Sequence, residues 1–133
     1  MKTESIKDLV VREGKLPPER VEELENISNA RLIEMDRTLL LVFARWSPFP
    51  ILCLRQLAEF LSDLILADNI NVVVVDEDVL RPEQMQTLFG EILHSGADSF
   101  WIKNGQIHDH LRGCPEDYGI RAQKLTRSIK SSE

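Results

Sequence analysis

Two short runs of this chain, Leu39 to Ala44 and Val72 to Val75, are apolar at every position. A strand that alternates polar and apolar residues covers one face of a sheet. A run apolar on both parities needs cover on both faces. The stretch from Thr38 to Ala44 therefore reads as a central strand, and Val72 to Val75 as a second one. Between them Leu52, Leu54, Leu57, Phe60, Leu61, Leu64 and Ile65 give one long helix with a broad apolar face, ended at Asn69. Strands joined through such a helix are parallel, with a right-handed crossover. The arrangement this imposes is a sheet with helices on both faces. At 133 residues the chain reads as a single domain, 1–133, able to bury a core without staples.

The strongest local signal is a hairpin. Ser99 to Ile102 and Gln106 to His108 are strand-like and flank Lys103-Asn104-Gly105. Asn-Gly suits a tight turn whose two central residues both need positive φ. Pro82 opens a helix carrying Met85, Leu88, Phe89, Ile92 and Leu93, with Gly96 as its stop. A last helix runs from about Pro115 to Ile129, with Tyr118, Ala122, Leu125 and Ile129 inward. Near the start, Pro17-Pro18 followed by Glu19, Glu22 and Glu23 predicts a helix with Val21, Leu24 and Ile27 as its buried stripe. Residues 30–35 fit a strand or a continuation of that helix. Segments 1–14 and 129–133 read as frayed, being polar and terminal.

Formal net charge is −6, which opposes general binding to nucleic acid or to an anionic membrane. No apolar run approaches the roughly 20 residues of a membrane span, and the polar start predicts no export signal. Two cysteines, Cys53 and Cys114, make no disulfide framework. These features predict a cytoplasmic, reduced setting.

The order strand, helix, strand, helix, hairpin, helix resembles the thioredoxin fold, and local residues support the likeness over roughly 38–130. Phe43-Ala44-Arg45-Trp46 stands where that family has an aromatic-Ala-x-Trp run before its Cys-x-x-Cys motif. Phe100-Trp101-Ile102, Lys103-Asn104-Gly105 and Gly113 look like the family's later strand, hairpin and glycine. The resemblance implies an α/β domain whose mixed central sheet has four to five strands.

The departures from that pattern decide the functional expectation. The Cys-x-x-Cys slot holds Ser47-Pro48-Phe49-Pro50, and the family's buried acid falls on Leu41. Its cis-proline falls on Ala97, followed by Asp98, where an ordinary trans peptide is expected. Disulfide exchange needs a thiolate and a sulfur leaving group, which serine lacks. What the resemblance still implies is a surface, since the family grips extended peptides beside this loop. Trp46, Ser47, Pro48, Phe49 and Pro50, with Ala97 and Asp98 alongside, are the expected partner-binding residues. No catalytic residue, metal ligand or cofactor is assigned.

Other candidates read as structural. Ser47 lacks a nearby base and fits a helix-start serine that caps a free N–H. Cys53, between Leu52 and Leu54, reads as a small buried hydrophobe, and Cys114 as incidental. His108 and His110 alternate along a strand and would share a face, but zinc needs further ligands. Asp76-Glu77-Asp78 reads as a solvated turn and helix cap. Arg121, Lys124, Arg127 and Lys130 form a basic strip on the last helix, opposed in sign by the acids from Glu19 to Glu25.

The expected function is a redox-inactive protein-binding module, an accessory factor or assembly chaperone. The bacterial hydrogenase-accessory proteins, which look like cysteine-free thioredoxins, are the precedent. Two other readings stay open: a single-thiol or glutathione-dependent enzyme built on Cys53 or Cys114, and an acidic inhibitor or immunity-type partner of a basic toxin. The partner is another protein rather than nucleic acid or membrane, and self-association stays open.

Overall fold

The computed structural model describes residues 4–129. Its centre is β2, Thr38–Phe43, in which all six side chains are buried. β3, Asn71–Asp76, lies parallel to it on one side. β4, Ala97–Lys103, lies antiparallel on the other and pairs in turn with β5, Gln106–Arg112. β1, Val21–Leu24, adds to the outer edge of β3 in parallel. The five-stranded order is β1-β3-β2-β4-β5. The mixed sheet and its helices on both faces match the expected class.

Parity along the strands divides two cores. Leu39, Leu41, Phe43, Val72, Val74 and Trp101 point to one side, with α1 (Ile6–Gly14), α3 (Phe49–Leu57), α4 (Leu61–Asp68) and α6 (Tyr118–Ser128). Leu40, Val42, Val73, Val75, Phe100 and Ile102 point to the other, with α2 (Asn29–Ile33) and α5 (Pro82–Phe89). The buried Trp101 indole donates to Thr126 Oγ1 at 2.9 Å, and that hydroxyl donates to Ala122 O at 2.7 Å. One polar chain thus ties β4 to α6 through an apolar layer, with each buried group satisfied.

Several expectations are corrected. The helix from Pro17 is a short 3-10 turn, Pro18–Arg20, followed by β1. Val21 and Leu24 have helical spacing, but the open edge of β3 offers backbone partners that override this weak preference. Glu22 and Glu23 then lie exposed on an edge strand, where charge discourages stray pairing. Residues 6–14 are not frayed. Ser5 and Asp8 form a capping box, and Ile6, Leu9 and Val10 are buried. Ile129 is also buried, and residues 130–133 lie outside the described residues. Residues 29–33 form a short helix, α2, distinct from the Pro17 segment.

The single long helix is two, α3 and α4. Glu59 and Phe60 bond three residues back, and Phe60 leaves helical geometry at φ −142°. No proline or glycine marks this break. α5 stops at Gly90 in the left-handed region, short of Ile92 and Leu93, so Gly96 is not its stop.

The hairpin turn is as expected, with Asn104 at φ 53° and Gly105 at φ 75°. Gly105 N donates to Met35 O at 2.7 Å, and a Cβ there would collide with the Ile33 carbonyl. Gly105→Ala therefore combines left-handed strain with a backbone clash. It should lower unfolding free energy by about 2 kcal/mol or more in urea titration. An unchanged midpoint would contradict this tight approach.

Candidate functional site

The C-terminal ends of β2 and β3 and the N-terminal end of β4 converge on one edge of the sheet. Ala44 N donates to Gly96 O at 2.8 Å, fastening the loop after β2 to the segment before β4. Gly96 sits at φ 80°, and a Cβ there would meet Ser47 and Trp46. The Ser47 hydroxyl donates to Ser95 O at 3.1 Å and accepts from Phe49 N at 3.2 Å. It is buried and committed to positioning the start of α3, as expected of a capping serine.

The expected surface is only partly present. Trp46 is 60% exposed, Phe49 39%, and Pro48 is exposed. Ser47, Pro50, Ala97 and Asp98 are buried. The last two lie beside the loop but present no side chain to solvent. The reason is register: Ala97 and Asp98 pair with Phe43 and Val42, so they start a central strand rather than a rim. No cis peptide occurs among the described residues.

Asp78, which had read as a solvated cap, receives the Trp46 indole N–H at 2.9 Å. It thereby holds the exposed ring against the end of β3. Asp76 accepts from Asp78 N at 2.9 Å, an ordinary cap. Glu77 departs from expectation. It is buried, and its carboxylate accepts from Gly96 N at 3.1 Å. Burial raises its pKa; Asp98 and Asp78 push the same way, against the Gly96 hydrogen bond and His94.

Asp98 is fully buried on the opposite parity from Ala97. It accepts from Ser95 Oγ at 2.9 Å and lies 2.8 Å from His110 Nε2. His110 stacks on Phe100 with ring centroids 4.1 Å apart, and Phe100 stacks on Phe89 at 4.4 Å. Asp98 bridges serine and histidine here. A hydrolytic triad instead needs histidine between serine and acid, so this group supports structure rather than nucleophile activation. Sequence reasoning missed the set. Its only signal was that a hairpin through Asn104-Gly105 places Asp98 diagonally opposite His110.

His108 and His110 do not share a simple face. Ile102 pairs with Ile107 and Trp101 with Asp109, so His108 is the extra residue of a β-bulge. His108 is exposed while His110 is packed. Among the described residues no group of three or more His, Cys, Asp and Glu side chains is placed to hold a metal. Arg121, Lys124 and Arg127 are exposed along α6, and Lys130 lies outside the described residues.

The two cysteines come together. Cys53 Sγ donates to Gly113 O at 3.5 Å, and Gln56 Nε2 donates to Cys114 Sγ at 3.3 Å. Both thiols are free. Burial raises the pKa of each.

No protein-family profile matches the chain, and no curated protein matches it. Solved structures do. Desulfothioredoxin from Desulfovibrio vulgaris Hildenborough is 18% identical with a TM-score of 0.56, covering 82% of this chain and 96% of that one. A thioredoxin of Nicotiana alata is 12% identical at TM-score 0.61, covering 84% and 94%. A poplar thioredoxin h is 20% identical at TM-score 0.55, covering 85% and 99%. The chain has the thioredoxin fold. Among the described residues no helix is long and apolar enough to cross a membrane.

Glu77 yields a pH prediction. Because the fold raises its pKa, the native state holds that proton more tightly than the unfolded chain. The contribution is full below the ordinary glutamate range and is lost as pH rises through the raised value. Glu77→Gln keeps an oxygen for Gly96 N and removes the ionisation. Its Tm should vary less than wild type between about pH 4 and pH 7, and should be no lower at neutral pH. An identical pH dependence in both proteins would show that Glu77 does not titrate as described.

Proposed function

We propose that this protein is a binding module that has kept the thioredoxin scaffold while giving up disulfide exchange at its loop. It holds an extended, apolar segment of another protein and serves as an accessory factor or assembly chaperone in the cytoplasm. One observation carries this reading. At the loop where thioredoxins carry their sulfur pair, this chain presents Phe49 within the slot and Trp46 just before it to solvent, with the indole fixed by Asp78. Ser47, which stands in the first sulfur position, is buried with its hydroxyl engaged on both sides.

Chemistry favours a protein ligand. Exposed aromatics beside polar groups are typical anchors of protein interfaces. Asp78 keeps one end of Trp46 hydrogen-bonded while the ring face stays open. Leu52 is 47% exposed and lies one turn along α3 from Phe49, extending the apolar strip. A separate groove of about 690 Å3 between α2 and α5 has no lining residue from this loop.

Two measurements test the proposal. Wild type should not accelerate insulin reduction by dithiothreitol above the uncatalysed rate. Proteins retained by tagged wild type should be lost, at least tenfold, with the Trp46→Ser, Phe49→Ser double variant. Both side chains are substantially exposed, so its Tm should stay close to wild type. An unchanged set of retained proteins, or rapid insulin reduction, would overturn the reading.

A further inference from the structure

We propose that Cys53 and Cys114 form a reversible intramolecular disulfide, and that a low-molecular-weight disulfide such as oxidised glutathione is the reagent that makes it. This modification site lies one turn along α3 from the loop and does not depend on what that loop binds.

The argument begins with convergence. Cys53 comes from α3, and Cys114 from the connection between β5 and α6. The Cys53 thiol rests on the carbonyl of Gly113, the residue just before Cys114. Gln56, on the next turn of α3, reaches the same connection with both ends of its amide. Its nitrogen donates to Cys114 Sγ at 3.3 Å, and its oxygen accepts from Gly119 N at 2.6 Å. Tyr118, whose hydroxyl is hydrogen-bonded to Ser99 Oγ at 2.8 Å, is buried in the same core cluster as Cys53. Cys53 and Cys114 are thus brought to one pocket, each side bonded to the other's immediate neighbourhood, so a disulfide there would join two segments already packed together.

The two thiols are not equivalent. Cys53 is fully buried, whereas Cys114 is partly exposed and is the one a small reagent meets. Burial disfavours ionisation of Cys114, but the Cys53 S–H and the Gln56 amide both favour its thiolate. Cys114 therefore acts first. Its thiolate attacks one sulfur of the small disulfide, forming a mixed disulfide and releasing one small thiolate, which takes up a proton. Cys53 then loses its proton and attacks the Cys114 sulfur, and the second small thiolate leaves and is protonated. Two protein thiols are oxidised to one disulfide while one small disulfide is reduced to two thiols. Because burial keeps both groups protonated at neutral pH, the exchange is slow. The site stores a redox state rather than turning over substrate.

The bond would tie α3 to the start of α6 across an intervening segment that contains β3, β4 and β5. Such a cross-link restricts the unfolded chain and raises the melting temperature.

The test uses the full chain, equilibrated in glutathione buffers of graded oxidised-to-reduced ratio at about pH 8, where thiolates become accessible. Remaining thiols are trapped by alkylation and the products weighed intact. Wild type should lose both thiols together, retain no glutathione, stay monomeric and yield a Cys53–Cys114 linked peptide. Oxidised wild type should melt several degrees above the reduced form. Cys53→Ser should stop at one glutathione on Cys114, and Cys114→Ser should leave Cys53 free and abolish the melting shift. Cys114→Ser alters a partly exposed side chain and serves as the folded control. Two free thiols at every ratio, a stable glutathione adduct on wild-type Cys114, or a disulfide-linked dimer would each overturn the proposal.

Discussion

The whole arrangement depends on β2 being buried on both faces. Six consecutive side chains without solvent demand an apolar layer on each side, and the two cores supply them. They also demand neighbours on both edges, since backbone groups at such depth must be paired. β3 and β4 meet that demand in opposite directions. This forces the loop after β2 to meet the segment before β4, and the Ala44 to Gly96 hydrogen bond records that meeting. Open α/β sheets place ligands at the carboxyl ends of their strands for the same geometric reason.

At this edge polar groups have been turned to structural use. Glu77, Ser47 and Asp98 are all buried there, and each has a hydrogen-bond partner. A buried polar group left alone would cost a few kcal/mol, so satisfied groups of this kind also fix one arrangement over its alternatives. The loop they fix carries no sulfur. The Cys53 thiol sits deeper along α3, where burial suppresses its ionisation. Position along α3 therefore separates the solvent-facing Phe49 at its start from the buried Cys53 one turn on.

How much of this could be read from residues varies with the range of the interaction. Buried strands, the Asn104-Gly105 turn and the Asn69 stop are local patterns, and they stand as expected. β1 was illegible because Val21 and Leu24 obey helical spacing, and only the waiting edge of β3 makes them a strand. α1 was dismissed as polar, although Ile6, Leu9 and Val10 form a stripe under a capping box. The break at Ala58 to Phe60 carries no proline or glycine to announce it. At the site, Trp46 and Phe49 were legible as aromatics in a proline-rich loop. The burial of Ala97 and Asp98 was not, because it follows from pairing with β2. Nor could sequence separation reveal that Cys53 meets the Gly113-Cys114 segment.

The two tryptophans occupy opposite media. Trp101 is enclosed between β4 and α6, with its indole nitrogen bonded to Thr126, whereas Trp46 stands largely in water and is bonded to Asp78. The chain consequently contains two indole fluorophores with separate duties. Emission from the enclosed indole follows loss of the tertiary core as a whole. Emission from the outer one follows polarity at the loop alone, so covering that loop and melting the domain leave distinguishable optical signatures.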